Sequence, residues 1–312
     1  MKKAFLFSGF LCGLSLCAFA QFKPTHVPEN ATWFAQLDVK ALRESTASAL
    51  VLQLLDDAAL RQLAAVHAMT GLNLTNDIDT VVLFGSGNSQ SNAVLSLHGR
   101  FDLPRLTTIL GMANNFQNQA IGNKSLLSWT DNDQQANLCF IDPTHAILSR
   151  DKKSIIDAVK QADKTADAIN ATLATALTPT TKRFCVLQLN NVADFVSDNQ
   201  QLVILKDTDS LILEISPVAD SNDITGSVSL KGANTEQVTQ LQQILLGLQA
   251  ILTMQAKENP DGAMLAQLIK VDRQDQLINL RINLSQQTLQ KLVDAQVAKR
   301  KIPEAANPPP EF

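Results

Sequence analysis

The 312-residue sequence carries 26 Lys and Arg against 30 Asp and Glu, a formal net charge of -4. Because the basic residues are scattered, no stripe that would attract a nucleic-acid backbone is predicted. After residue 20 no apolar run is long enough to span a bilayer, since 202–205 and 211–213 are short and flanked by charges. A chain of this length favours two domains.

The amino terminus has the three parts of a secretory signal peptide. Lys2 and Lys3 precede an apolar run, 4–16, and small residues occupy positions 18 and 20. We therefore expect residues 1–20 to be removed and the protein to be periplasmic or secreted, with no membrane span after cleavage.

Four cysteines are present, and Cys12 and Cys17 would leave with the signal. Lipidation is disfavoured because Leu16, rather than a small residue, precedes Cys17. Cys139 and Cys185 each lie in a strand-like stretch, where they either pair in an oxidising compartment or act as buried small hydrophobes. Neither has an adjacent His or charged group that would stabilise a catalytic thiolate.

Strands and helices alternate in the first half. The first predicted elements are a strand at 32–39, a helical segment at 40–72 that breaks at Asp56–Asp57, and a hairpin of strands 78–84 and 93–98. A helix then runs from the cap Asp102 to about Asn114. Strands 125–130 and 137–148, the second with a break at Asp142–Pro143, and a helix at 151–163 complete this half.

A similar order recurs in the second half. The predicted elements are a strand at 183–189, a strand pair at 210–215 and 225–230, a helix at 234–257 capped by Asn234, two strands within 267–284 that turn at 272–275, and a final helix after Ser285. Ser96–Gly99 and Ser229–Gly232 precede corresponding helices, which indicates an internal duplication.

The predicted fold is α+β, with two tandem related domains, each a mainly antiparallel sheet with helices packed on one face. The chain divides into a lead-in at 21–29, a first domain at 30–165, a linker at 166–181, a second domain at 182–300 that repeats the first, and a disordered Pro-rich tail at 301–312. The predicted core residues are Phe34, Leu37, Val81, Leu83, Leu95, Leu97, Leu106, Ile109, Leu211, Leu213, Leu230, Leu241, Leu245 and Leu248.

Four segments, Trp33–Val39, Ile78–Val82, His98–Asp102 and Ala146–Asp151, resemble a loosely defined group of exported bacterial proteins with duplicated strand-helix-strand-strand-helix units. The resemblance implies the fold and export. It implies no activity, because the shared motifs are strand ends and helix starts.

Local motifs do not indicate a cofactor or metal. Gly85-Ser86-Gly87 follows a strand but leads into another strand, so it is typical of a hairpin turn rather than a phosphate loop. The acidic groups at 131–133, 207–209, 220–223 and 272–275 lack the Gly and Glu of a calcium loop and favour turns.

The four histidines offer one imaginable zinc site, made of His98, His145 and Asp142. It would need two loops to meet, so we expect these three residues to lie apart on the surface. His26 falls in the flexible lead-in, and His67 is expected to be partly buried in its helix. The sequence therefore predicts no catalytic, cofactor-binding or metal-binding residues.

The sequence indicates only a broad class of function. We expect a non-enzymatic envelope or secreted protein with a binding or structural role and a possible envelope protein partner. The apolar helices within 40–72 and 234–257 either present a stripe to that partner or, as is more usual, pack it on their own sheets. The alternative is a periplasmic hydrolase or small-ligand-binding protein whose site forms only in the fold. A deep pocket of converging polar groups would favour the alternative, and an exposed apolar patch would favour the partner-binding protein.

Overall fold

The computed structural model describes residues 22–89, 92–164, 169–178, 182–196 and 203–301. The predicted signal peptide and nearly all of the predicted tail lie outside these residues. The described ranges hold eleven α-helices and twelve strands, so the predicted α+β class is confirmed.

All twelve strands belong to one antiparallel sheet. The strands are β1 (Trp33–Asp38), β2 (Ile78–Gly85), β3 (Val94–Gly99), β4 (Gln117–Ile121), β5 (Lys124–Asp131), β6 (Gln134–Asp142), β7 (His145–Ser149), β8 (Cys185–Asn190), β9 (Thr208–Pro217), β10 (Ile224–Gly232), β11 (Lys270–Gln274) and β12 (Leu277–Leu284). Their spatial order is β11-β12-β10-β9-β8-β1-β2-β3-β7-β6-β5-β4.

The helices lie between and after the strands. They are α1 (Val39–Arg43), α2 (Ser48–Leu54), α3 (Asp57–Thr70), α4 (Leu74–Asp77), α5 (Leu103–Leu110), α6 (Lys152–Asp163), α7 (Ala174–Leu177), α8 (Ala193–Val196), α9 (Thr235–Met254), α10 (Pro260–Leu268) and α11 (Gln286–Lys301). Short 3-10 turns cover Pro24–His26, Ala171–Leu173 and Val203–Leu205. In the part of the chain described here, no helix combines the length and apolar character needed to cross a membrane.

The first strands of the two halves lie side by side at the centre of the sheet. Strand β1 pairs with β8, so that Trp33 opposes Leu189 and Leu37 opposes Cys185. From this seam the order runs outward as β1-β2-β3-β7 in one direction and β8-β9-β10-β12 in the other. The predicted sheets of the two halves are thus joined into one continuous sheet.

Helices pack on both faces of this sheet, in contrast to the single face predicted. One face carries the largest core, where Phe34, Val82 and Val186 meet Ile155 and Val159 of α6. The segment predicted as a linker also contributes to this core, through Leu173, Ala176 and Leu177.

The opposite face carries two smaller cores separated along the sheet. One packs Val238 and Leu241 of α9 on Leu230 and Ile278. The other gathers Leu127, Leu138 and Ala146 with partly buried neighbours that include Leu110 of α5 and Trp129. Between them run β2, β1, β8 and β9.

Helix ends agree with the sequence signals. The carboxylate of Asp56 caps α3 at the predicted break, and Gly71 ends α3 with φ +74° in the left-handed region. Asp102 caps α5, and Asn234 caps α9 by accepting a hydrogen bond from the backbone N–H of Gln237. The sequence analysis missed β4 and the helices α4, α7, α8 and α10, and it did not separate α1 from α2.

Candidate functional site

The predicted core divides in an unexpected way. Phe34, Leu230 and Leu241 are buried, whereas Leu37, Leu83 and Leu248 are exposed and those predictions are wrong. The other eight predicted core residues are partly buried. Most of the errors lie on the strands between the two smaller cores, which points to an uncovered apolar surface there.

That surface is built by residues that oppose one another across β2, β1, β8 and β9. Leu83 opposes Ala35, Ala35 opposes Leu187, and Leu187 opposes Leu213. Opposed residues point to the same face of a sheet, as do residues two apart on one strand. The resulting apolar floor consists of Ala35, Leu37, Val81, Leu83, Leu187, Leu213 and Ile215.

None of these seven side chains is buried. Leu37, Leu83 and Ile215 are 36%, 37% and 38% exposed. The alternate residues of the same strands, such as Val82 and Val186, are fully buried on the other face. The apolar floor is therefore a thinly covered stretch, or gap, in the helical layer on this face.

Helix α9 adds further apolar surface on the same face of the sheet. Its first turns pack through Val238 and Leu241, but its later turns expose a set of large apolar side chains. These are Ile244, Leu246, Leu248, Ile251, Leu252 and Met254. Scattered exposed leucines are ordinary in proteins, whereas a set of this size on one helix is typical of an interaction surface.

A cavity of about 610 Å³ opens on the other face of the second half and is lined mainly by polar residues that include Gln188, Asn190 and Ser229. The Gln188 amide is already engaged, since its oxygen accepts from the Ala176 N–H and its nitrogen donates to the Thr172 carbonyl. Cavities of about 330 and 290 Å³ border α5 and α6. A small cavity of about 60 Å³ borders the first turns of α9.

Three of the four histidines meet, which the sequence analysis did not predict. His98 and His145 oppose each other on β3 and β7, with ring centroids 4.1 Å apart and planes 20° apart. The His26 ring stacks on His145 with centroids 5.4 Å apart and planes 1° apart. The expectation that His98, His145 and Asp142 lie apart on the surface is therefore wrong: His98 and His145 are buried, and Asp142 pairs with His145 in the sheet.

The histidine column is defined as His26, His145 and His98, and two of its three rings, those of His145 and His98, share one hydroxyl. Ser96 Oγ lies 2.8 Å from His145 Nε2 and 3.3 Å from His98 Nε2. Nδ1 of His98 and Nδ1 of His26 are buried without a hydrogen-bond partner. His26 sits in the Pro24–His26 turn and not in a flexible lead-in, while His67 is exposed rather than partly buried.

This environment favours uncharged rings. Burial lowers the pKa of His98 to about 4, and His26 adds to this, whereas Asp142 opposes it. Burial and the two other histidines lower the pKa of His145 to about 3, again against Asp142. Burial and Lys23 lower the pKa of His26, opposed by Asp142 and Asp163.

Ser96 and His145 contact each other like a catalytic serine and its general base, but they lack the solvent access and the near-neutral pKa that catalysis needs. Ser96 and His145 are 3% and 2% exposed, so a substrate would have no access to the hydroxyl. A general base also works best with a pKa near the operating pH, and that of His145 is far below neutrality. The group is a buried polar network.

The column does not form a metal site: Nε2 of His98 and Nε2 of His145 converge on the Ser96 hydroxyl, and no third ligand joins them among the described residues. Among the described residues there is no group of three or more His, Cys, Asp or Glu placed to hold a metal ion. Three of the four acidic groups contain turn residues with positive φ, namely Asn132, Asp133, Asp220 and Asp275. In the group at 207–209 only Asp207 lies in a turn, because β9 already begins at Thr208.

Cys139 and Cys185 are both free thiols. They lie on β6 and β8, which are separated by β1, β2, β3 and β7 in the sheet. At about 4.8 Å between neighbouring strands, that separation is far beyond the reach of a disulfide. Of the two alternatives left open by the sequence, the unpaired one applies.

Sequence reasoning missed the two features of greatest interest. The signal for the histidine column was present, since Ser96 and His98 alternate on one strand and must share a face, but the pairing of β3 with β7 was needed to add His145. The apolar floor looked like core, because apolar residues on strands are usually buried.

No protein-family profile and no curated protein matches the sequence. Among solved structures, crystal form I of TP0453, a Treponema protein, is similar to this chain at 9% sequence identity and a TM-score of 0.48. The similarity covers 89% of this chain and 99% of TP0453. It concerns the fold alone.

Proposed function

We propose that this protein is a non-enzymatic, exported envelope or secreted protein that binds a protein partner at the apolar floor. The observation that carries the proposal is the exposure of Leu37, Leu83 and Ile215 at the centre of the sheet, where the main core closes the other face. The apolar residues of α9 on the same face support it.

The shape of the gap favours a helix as the element that the partner contributes. The floor crosses four strands, which at about 4.8 Å between strands span roughly 15 Å. A helix with its side chains is about 10 Å across. On this face α5 and α9 already cover the neighbouring strands, so a partner helix in the gap would complete the layer.

Site-specific photocrosslinking in the native envelope tests this proposal. A photoreactive amino acid replacing Leu83 should give an adduct with a different envelope protein. The same probe at Ser227, a strand residue on the opposite face, should give none. Only self-adducts, or equal adducts at both positions, would contradict the proposal.

A charge placed in the floor provides the matched binding measurement. Leu83→Glu should reduce co-purification of the partner that the crosslink identified at least tenfold, because a carboxylate would have to be desolvated at the interface. Ser227→Glu should leave recovery unchanged. Circular dichroism and thermal unfolding of both variants separate lost binding from lost folding.

We also infer that the chain arose by internal duplication, with residues 30–165 and 182–300 as the repeated units. The outward strand order on either side of the β1 and β8 seam supports this, as does the position of α5 after β3 and of α9 after β10. A superposition of the two ranges that aligned fewer than half of their elements in the same order would contradict it.

A further inference from the structure

The amino-terminal strap, residues 22–31, lies across the closed face of the sheet. Its apolar side chains Phe22, Val27 and Ala31 belong to or pack against the main core. The Phe22 ring lies 5.7 Å from that of Phe34 and meets His98 edge-on at 5.9 Å. The strap is thus held by packing on the sheet. In addition, the Gln161 side chain donates a hydrogen bond to the Thr25 carbonyl.

The histidine column crosses the boundary between strap and sheet. His26 comes from the strap, whereas His145 and His98 come from the strands beneath it. Stacking between neutral rings is favourable. Two imidazolium rings at 5.4 Å or 4.1 Å would instead repel each other across a partly dry interface.

Proton addition is further disfavoured by the hydrogen bonding of the rings. A proton on Nδ1 of His98 would be buried without an acceptor, because that atom has no partner. Ser96 Oγ serves both His145 and His98. In a neutral pair the hydroxyl can donate to one ring and accept from the other, whereas two charged rings would both donate to it and leave the hydroxyl proton without a ring acceptor.

The other charged groups that act on the column do not neutralise it. Lys23, on the strap itself, opposes a charge on His26. Asp142 and Asp163 favour one, but the Asp142 carboxylate already accepts hydrogen bonds from the Thr144 N–H and hydroxyl. Asp163 is paired with Lys124.

We propose that the histidine column is an acid-sensitive latch, in which protonation of His26, His145 and His98 releases the strap from the sheet while the strands remain paired. Half-buried His26 accepts the first proton, since it lies at the outer end of the column. Its departure with Phe22 gives water access to His145, His98 and Phe34. Acidification then exposes an apolar surface on the face that is closed at neutral pH.

Hydrogen exchange of the full chain, corrected for the intrinsic rate at each pH, tests the latch. The Ala31 N–H, bonded to the Pro28 carbonyl, should lose protection at least tenfold between pH 7 and pH 4. Amides that pair β1 with β8 should still exchange at least tenfold more slowly than those of the strap at pH 4. Unchanged protection of the strap, or equal protection of strap and sheet at pH 4, would overturn the proposal.

Two variants give the matched comparison. His26→Gln removes the strap's titratable ring and should shift the release of the strap to lower pH by at least half a unit. His67→Gln, at the exposed histidine of α3, should leave it unchanged. An equal shift in both variants, or none in His26→Gln, would overturn the proposal, and the titration of the unmodified chain remains decisive if either variant misfolds.

Discussion

Phe34 and Leu37 lie three residues apart on β1 and point to opposite faces of the sheet, the first fully buried and the second 36% exposed. Phe34 touches the strap, through Phe22, and the main core. Leu37 belongs to the apolar floor. One strand therefore contributes to folding on one face and offers an apolar surface on the other.

Truncation of these two side chains should separate the roles. Phe34→Ala should lower the free energy of unfolding by roughly 3–5 kcal/mol, because it leaves a cavity in the core. Leu37→Ala should cost less than about 1.5 kcal/mol, since little packing is lost. Urea unfolding with equal m-values measures both. Similar losses would show that the floor is covered within the chain itself.

The same strand shows what the sequence can and cannot predict. Alternation located β1, β2, β8 and β9 correctly, because period-two apolarity is a local property. The choice of buried face is not local. It depends on where α6, α9 and the strap finally pack, and the apolar residues of β1 and β2 leave both faces plausible.

The candidate sites also separate into features that local sequence predicts and features that only the tertiary fold creates. Helix caps such as Asp102 and Asn234 were predictable, since each acts within three residues of itself. The histidine column joins residues from positions 26, 98 and 145, and only the pairing of β3 with β7 and the path of the strap bring them together.

Stability should fall on acidification. The unfolded chain binds protons at His98 and His145 from about pH 6.5 downward, whereas the folded chain resists until about pH 4 and 3. Between pH 6.5 and 4 the unfolded state thus holds more protons, so the free energy of unfolding decreases as the pH falls. At about 1.4 kcal/mol per pKa unit, we expect a loss of at least about 3 kcal/mol.

Urea denaturation at pH 7, 5.5 and 4 measures this slope. His98→Gln should flatten it, because one of the two resisting groups is removed, whatever the variant's stability at pH 7. His67→Gln should retain the slope. A slope equal in all three proteins would place the acid sensitivity outside the column.

The two thiols should differ in reactivity. Burial raises the pKa of Cys139 to about 11, and burial also raises the pKa of Cys185. Only the thiolate reacts rapidly with maleimides, so both should label slowly at pH 7. Fully buried Cys139 should label more slowly than half-buried Cys185.

Mass spectrometry of the labelled, folded protein follows both sites, with the urea-unfolded protein as the reference. Unfolding should make both thiols react at similar rates without a reductant. A requirement for reductant would indicate a disulfide and contradict the positions of β6 and β8.

Asn170 fixes the carboxyl-terminal end of the strap to the segment before α7. The side chain is 2% exposed, and its Nδ2 donates to the carbonyls of Pro28 at 2.7 Å and Ala31 at 3.1 Å. Its Oδ1 accepts from the N–H groups of Thr172 at 3.0 Å and Leu173 at 3.3 Å.

Asn170→Ala should therefore destabilise the fold by about 3 kcal/mol, because buried carbonyl and N–H groups lose their partners at once. Asn190→Ala is the control: its amide also bonds the Thr172 carbonyl, but at an exposed position, so we expect less than about 1 kcal/mol. Thermal unfolding at pH 7 compares them.

Asn170→Asp should be at least as destabilising as Asn170→Ala, since its carboxylate would face the carbonyls that the amide now satisfies. A tolerated Asn170→Asp would mean that the strap is held by packing alone.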